Sequence, residues 1–308
     1  MIFNYFLLNS FLSYILMWVT YPFFNKYILD KPNSRSSHKI ITPKGGGIIF
    51  VIITVFSSLF FEFYAPLICL PLALLGLADD KLEIRAIIRF LFQVFTSLSL
   101  ILYASPGLDI TNNSILLLIL INLFLIILGT SIINFSNFFD GIDGILIGNK
   151  LVIFLSISFL FDQRYFLISG ALIGFLKWNW RPAKIFMGDV GSTFLGALLF
   201  FAVVSSPSIN QAFIILLISA PVLLDPFLCV IRRFVNFESI FSPHKKHLYQ
   251  RLNRAGFSHS KVSLIYIIST LILSLSYIFC GFLCLLIIFI FLLLIGFWLD
   301  QKIAIPFK

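Results

Sequence analysis

Five aspartates in this 308-residue sequence sit where a carboxylate is costly. Asp79 and Asp80 close one apolar run, Asp140 and Asp143 lie in NFSNFFDGIDGILIG (134–148) between two others, and Asp189 precedes a fourth in FMGDVGS. Placing an acid in hydrocarbon costs roughly 2.5–3.5 kcal/mol, so carboxylates at a membrane are functional candidates by default. Adjacent Asp79 and Asp80 repel each other and raise one pKa unless a cation neutralises them. Lys81 and Arg85 are the structural choice for that cation; a divalent metal is the catalytic one. Oxygen donors without a competing sulfur favour Mg²⁺, with Mn²⁺ as the alternative, and Mg²⁺ typically joins one or two carboxylates to substrate phosphates. If their segment is helical, Asp140 and Asp143 share a face and converge on one ion. If it is a loop, Asp140–Gly141 and Asp143–Gly144 are ordinary turn pairs.

Groups suited to an anionic substrate lie in the neighbouring polar stretches. DKPNSRSSHKIITPKGGGI (30–48) ends in Lys44 and Gly45–Gly47, which offer charge and backbone donors at a helix start. A basic stop segment that merely fixes topology is the plainer account of it. Arg89 and Gln93, four apart, share a face at the start of the next apolar run. KWNWRPAKIFMGDVGSTFLG (177–196) places Asn179 and Phe186 close to Asp189. Its Phe186, Trp178 and Trp180 have the flat faces to stack on a base, although interfacial anchoring is the commoner use of such rings. Between Arg232 and Lys261, Ser242–Pro243 reads as a helix start and Gly256 as its stop, which predicts a basic helix HKKHLYQRLNRA over 244–255. His244 and His247 would share one face of it, and Lys245, Lys246, Arg251 and Arg254 would meet pyrophosphate or anionic lipid headgroups. An amphipathic helix lying on the membrane is the bland alternative.

The elements that must hold these residues are membrane helices. The chain is 60% hydrophobic and 11% charged, against about 25% charged for soluble proteins. Eleven candidate spans follow in order: 2–24, 45–61, 63–78, 87–104, 114–133, 148–161, 165–178, 191–205, 211–231, 262–279 and 281–299. Those at 63–78, 148–161 and 165–178 are shorter than the usual minimum of about 17 residues. The first reads as a retained span rather than a signal peptide, having no basic leader and no small-residue cleavage site. With eleven spans, every Lys and Arg except Arg164 falls on one side. The positive-inside rule makes that side cytoplasmic, with the N-terminus outside and the C-terminus inside. The same alternation puts Glu62, Asp109 and Asp162 outside and the other acids inside. The net charge of +9 is therefore a topological signal and not one for nucleic acid. Cys69, Cys229, Cys280 and Cys284 all lie in apolar segments and read as small hydrophobes; their spacing suggests neither a disulfide framework nor a zinc site. The expected fold is an all-α bundle of about 11 transmembrane helices, 10 as the alternative count, in one domain over 1–308 with a cytoplasmic loop at 232–261.

Taken together, the motifs resemble one family, the polyprenyl-phosphate N-acetylhexosamine-1-phosphate transferases. The residues that carry the resemblance are the Asp79–Asp80 pair with Arg89 and Gln93, NFFDGIDG (137–144), FMGDVGS (186–192) and PHKKH (243–247), with PNSRSSH and TPKGGG near the start. They run in the family's order from residue 32 to about 256. The resemblance implies Mg²⁺-dependent transfer of a sugar-1-phosphate from a UDP-N-acetylhexosamine to a polyprenyl phosphate such as undecaprenyl phosphate, with release of UMP, in the bacterial inner membrane. It implies that Asp189 ligates the metal and that Asp79 and Asp80 are catalytic or metal-proximal acids. Asn137, Asp140 and Asp143 would line the uridine-diphosphate pocket, Phe186 would stack on uracil, and His244 and His247 would contact diphosphate or sugar. Lys44, Gly46, Asn179 and Lys245 join Arg89 as substrate-binding candidates. PHKKHLYQRL looks more like the O-antigen-initiating branch than the peptidoglycan translocase, which stays as the alternative. Sequence sets no oligomeric state; a homodimer is compatible with it.

Two other classes compete. An ion-coupled transporter would use buried acids as a relay, but its sites lie near mid-membrane, whereas these acids gather at one face. A CDP-alcohol phosphatidyltransferase also uses Asp-Gly pairs and metal, but Asp140 and Asp143 are too closely spaced for it.

Overall fold

The computed structural model describes residues 1–30, 32, 40–82, 84–104, 115–239 and 244–307. Twelve α-helices are present among them: α1 (Ile2–Tyr27), α2 (Gly47–Leu59), α3 (Ala65–Leu82), α4 (Ala86–Ala104), α5 (Ile115–Phe138), α6 (Ile145–Leu160), α7 (Phe166–Asn179), α8 (Gly188–Val204), α9 (Ile209–Ile218), α10 (Ala220–Val235), α11 (Leu248–Arg254) and α12 (His259–Lys302). Every apolar segment expected from the sequence is helical for most of its length. The segment 211–231 is split between α9 and α10, which meet at a 78° bend. Those at 262–279 and 281–299 are the two arms of α12, which breaks at Gly281 with φ of 78°. Helices α1, α4, α5 and α12 are long and apolar enough to cross a membrane, and the bent pair makes a fifth. Large apolar side chains such as Phe11, Phe95, Phe124 and Phe291 point outward from them, as hydrocarbon solvent requires and water would oppose.

At the centre stands α8. Each of its residues from Val190 to Val204 is buried, which is why it is apolar all round rather than on one stripe. α3 and α5 pack along it, α2 and α4 lean on it, and α1 packs along α7. Gly76 of α3 makes the closest approach: a Cβ there would stand 2.6 Å from the backbone of Asp189 and Val190. The chain leaves α1 through strand β1 (Leu29–Asp30) and returns through antiparallel strand β2 (Thr42–Pro43), with Leu29 opposite Pro43. That return sets Lys44 against the end of α1, its N–H bonded to Ile28 O at 3.0 Å.

One open choice is decided in favour of the turn, and one expectation changes. α5 stops at Phe138 and residues 139–144 form a turn ending at Gly144 in the left-handed region, φ 74°. Asp140 and Asp143 therefore do not share a helix face. The basic helix over 244–255 begins only at Leu248, after His247 in an extended conformation. Its start is fixed by Asp225 of α10, whose carboxylate accepts the N–H groups of Leu248 at 2.8 Å and Tyr249 at 3.0 Å. Those are two of the donors a helix start leaves open. Ser242 and Pro243 lie outside the described residues, as do the residues of PNSRSSH apart from Pro32.

Candidate active site

The first turn of α8 carries Asp189, and the helices around it deliver the other acids. Asp79 and Asp80 occupy the last turn of α3. Asp80 Oδ1 accepts the Asp189 N–H at 3.1 Å and lies 3.7 Å from Lys44 Nζ. Gly188 permits this meeting twice over. Its φ of +73° disfavours any side chain, and a Cβ there would collide with Asp80 Oδ2. Arg89, on α4, reaches Asp79 at 2.8 Å and Asp189 at 3.5 Å, and Asp79 also accepts the Ile84 N–H at 2.6 Å. The cation predicted from Lys81 or Arg85 is thus Arg89, two to three turns along the chain. Gln93 continues the same face of α4 and exchanges hydrogen bonds with Asn134 of 3.1 and 2.7 Å.

From α5, Asn137 donates to Ser192 Oγ at 3.0 Å, and the turn that follows brings in Asp140. Burial first, then the negative charges of Asp189, Asp80 and Asp143, push the Asp140 carboxyl up to about 8. Asp143 faces elsewhere. His259 Nδ1 lies 3.1 Å from its Oδ1, Arg181 Nη1 lies 3.6 Å from Oδ2, and the Ala183 N–H donates to Oδ2 at 3.2 Å. Burial would raise this carboxyl, but the His259 hydrogen bond and charge, the Ala183 N–H and Arg181 outweigh it and hold it below the usual range.

The remaining candidates frame these acids. Gly46 N–H donates to Phe186 O at 3.1 Å and Phe186 N–H to Pro43 O at 2.8 Å, so the TPKGGG and FMGD segments are laced together. Asn179 is buried and spans two segments, accepting from Gly144 N at 3.3 Å and donating to Ile185 O at 3.0 Å. His244, Lys245 and His247 form a separate group near Asp225, with His247 Nδ1 3.8 Å from Asp225 Oδ1. This group meets the DGIDG turn through Tyr249, whose hydroxyl donates to Phe138 O at 2.9 Å. Burial, followed by neighbouring positive charge, pushes both His244 and His247 down to about 4, so both are neutral at pH 7.

A family model described as glycosyl transferase family 4 matches residues 63–207, the span from α3 to the end of α8. The undecaprenyl-phosphate alpha-N-acetylglucosaminyl 1-phosphate transferase of Thermotoga maritima is 30% identical over 237 residues, covering 73% of this chain and 73% of that protein. This chain belongs to the polyprenyl-phosphate N-acetylhexosamine-1-phosphate transferase family. A probable undecaprenyl-phosphate N-acetylglucosaminyl 1-phosphate transferase of Bacillus subtilis is 29% identical, over 78% of this chain and 74% of its own. The phospho-N-acetylmuramoyl-pentapeptide-transferase of Dictyoglomus thermophilum is 36% identical over a shorter stretch, 56% of this chain and 62% of its own.

For a member of this transferase family the acid cluster has the donor set of a hard cation. Asp80 Oδ2 is buried without a side-chain partner, Asp189 follows it at the start of α8, Asp140 is close enough to feel the charge of both, and all are carboxylates, the ligands Mg²⁺ prefers. Sequence reasoning missed Asp225, His259, Arg181 and Tyr266. Asp225 and His259 carried a weak signal, since each is a charged or titratable residue in or next to an apolar run.

Proposed function

We propose that this chain transfers an N-acetylhexosamine-1-phosphate from a UDP-sugar to undecaprenyl phosphate or a similar polyprenyl phosphate, releasing UMP and leaving a lipid-linked pyrophosphoryl sugar. The observation that carries this reading is the under-neutralised cluster of Asp80, Asp140 and Asp189 at the first turn of α8. The reaction joins two anions, so its demands are charge neutralisation, in-line placement and stabilisation of the departing phosphate. Asp189, with Asp80 and Asp140, would hold Mg²⁺, which supplies charge neutralisation at the phosphates when bound.

The chain's own residues do the rest. Lys44 presents positive charge toward phosphate oxygens; the N–H groups of Gly46 and Gly47, expected from the sequence to serve as donors there, are taken by Phe186 O and Met187 O, and the N-terminus of α8 adds its dipole. Arg89 fixes Asp79 and Asp189 in position. Asn137 and Phe186 are the groups offered to the uridine end, and His244, Lys245 and His247, on the α11 side, to the diphosphate or sugar. The acceptor's phosphate has its second pKa near 6 and is already largely ionised at neutral pH, so it requires little base assistance. One of its oxygens attacks the β-phosphorus; the bond from that phosphorus to the bridging oxygen breaks, and UMP leaves with the bond's electron pair. Asp79 or Asp80 aligns the attacking phosphate or takes its remaining proton.

The eleven-span arrangement, N-terminus outside and acids on the cytoplasmic face of a bacterial inner membrane, belongs to this proposal and is supported by the segregation of basic residues. The Thermotoga and Bacillus relatives make UDP-N-acetylglucosamine the first donor to try. The Dictyoglomus relative keeps the muramoyl-pentapeptide donor as a second reading.

The test is purified protein with Mg²⁺, undecaprenyl phosphate and a panel of UDP-N-acetylhexosamines plus UDP-N-acetylmuramoyl-pentapeptide, followed by UMP release and the lipid product. UMP formation that requires the lipid supports the proposal, and silence with every donor overturns it. Inversion at the β-phosphorus supports direct attack, whereas net retention replaces it with a covalent aspartyl-phosphate route.

A further inference from the structure

The sequence offers Arg251 to pyrophosphate or lipid headgroups, but the structure turns it inward. It is 3% exposed, and each of its three guanidinium nitrogens serves a different segment. Nε donates to Lys246 O at 3.1 Å, Nη1 donates to Ile305 O at 2.9 Å, and Nη2 pairs with Asp300 near the end of α12. The Phe307 ring covers the group, its centroid 5.5 Å from Arg251 Cζ and 5.3 Å from Lys246 Nζ. Arg232 of α10 joins the same Asp300 at 2.5 Å. The break in α12 makes this meeting possible. Its 44 residues would stretch about 66 Å if straight, yet its end meets α11, which lies just ahead of its start in the chain. The second arm therefore folds back at Gly281, and Tyr266 and Leu273 of the first arm line one cavity with Phe289 and Gly296 of the second. That return delivers Asp300 and the tail 303–307 to α11.

We propose that Arg251 is a positioning residue: held by Asp300 and the tail, it fixes Lys246 and so aims His244 and His247 at the donor. Lys246 is the link. Its carbonyl is held by Arg251, and its N–H donates to His244 Nδ1 at 3.3 Å, which turns Nε2 of that ring outward as its remaining polar atom. His247 follows directly, extended, and opens α11. Arginine suits this place because one rigid fork serves three acceptors in fixed directions, where lysine offers a single point charge. Asp300 meets the charge that burial would otherwise leave uncompensated. Arg251 touches no substrate. The aiming role rests on the proposed contact of the two histidines with the donor; the mechanical link does not, and the two are read separately.

The experiment compares full-length protein in detergent with Asp300→Asn, Phe307→Ala and Arg251→Lys, and with Trp298→Ala, an outward-facing residue of the same arm, as control. Phe307, only partly buried, is the mildest change and keeps the test open if Asp300→Asn does not fold. Amide hydrogen exchange reads the link. Peptides covering 244–250 should exchange faster in the three variants, while those covering Asp189 do not change and the control matches wild type. Steady-state kinetics read the aim. KM for the UDP-sugar should rise roughly tenfold or more, the scale of a small misplacement of a binding group, with kcat and the KM for polyprenyl phosphate held within about twofold. A brace without an aiming role lowers the active fraction, hence kcat, and leaves both KM values alone. Unchanged exchange in Asp300→Asn and Phe307→Ala overturns the link, and a fall in kcat with the donor KM unmoved overturns the aim. Wild-type protein silent with every donor removes the transferase reading and the aim with it, while the exchange result still decides the link.

Discussion

Asp80 and Asp225 are aspartates of equal burial, each 8% exposed, on helices of the same bundle. Their surroundings are opposite. Asp225 is saturated: it accepts from Leu248 N, Tyr249 N and, at 2.7 Å, from the Tyr266 hydroxyl. Asp80 draws on the N–H groups of Asp189, at 3.1 Å, and Val190 at the start of α8, with a lysine at 3.7 Å and no side-chain donor in hydrogen-bond range. A buried carboxylate costs several kcal/mol unless its charge is met. Asp225 meets that cost within the fold and in return starts a helix. Asp80, with Asp189 and Asp140, leaves it partly unmet, which is what the proposed role in holding a cation calls for and a brace does not.

The sharpest way to break this comparison is Asp189→Asn. Transfer activity should fall by roughly 10³-fold, the scale of losing a preorganised electrostatic contact in a transition state. The folded protein should be no less stable in metal-free buffer, since a repelling charge is gone. Parallel loss of UMP release and of the thermal midpoint would make Asp189 a brace like Asp225.

Next in size is Asp225→Ala. It leaves two backbone N–H groups and a hydroxyl unpaired, and should cost at least roughly 3 kcal/mol of stability, the lower end of about 1–3 kcal/mol per buried unsatisfied group. Denaturant unfolding in detergent reads this directly, and turnover per folded molecule should change less than the Asp189 variant's. A neutral effect on stability would remove Asp225 from its bracing role.

The same contrast between unmet and well-paired acids shows in pH, through Asp140 and Asp143. The Asp140 carboxyl is raised to about 8, so its contribution is fully present below the unfolded value of about 3.9 and is lost as pH rises through 8. Asp143 is held below the usual range, so its contribution is present above the unfolded value and is lost as pH falls through the folded one. Mg²⁺ should accordingly raise the thermal midpoint more at pH 8 than at pH 5. Equal stabilisation at both would detach the ion from these acids.

Smallest is Arg181→Gln. Arg181 is 46% exposed and 3.6 Å from Asp143, and such pairs are worth about 0–1 kcal/mol. A shift in unfolding free energy within that range is expected; a much larger one would show that Asp143 depends on Arg181 more than on His259.

What the sequence disclosed follows from how local each signal is. Hydropathy is read along the chain, and every apolar segment it marked became helix. Asp79, Asp80 and Asp189 stood out because each interrupts or borders such a run, and the structure brings all three to the first turn of α8. The partners of Asp143 and Asp225 were hidden, because His259 and Tyr266 reach them from the first arm of α12, far along the chain. The start of α11 was misplaced for the same reason: its cap is a carboxylate on another helix.

A helix enclosed on every side cannot retreat when substrate arrives. Because α8 is such a helix, the seat of the acids is a fixed post, steadied on one flank by the bonds of Phe186 to Pro43 and Gly46. On the proposed function, a change of donor has to be accommodated by residues elsewhere, while the post that would face the reacting phosphates stays where it is.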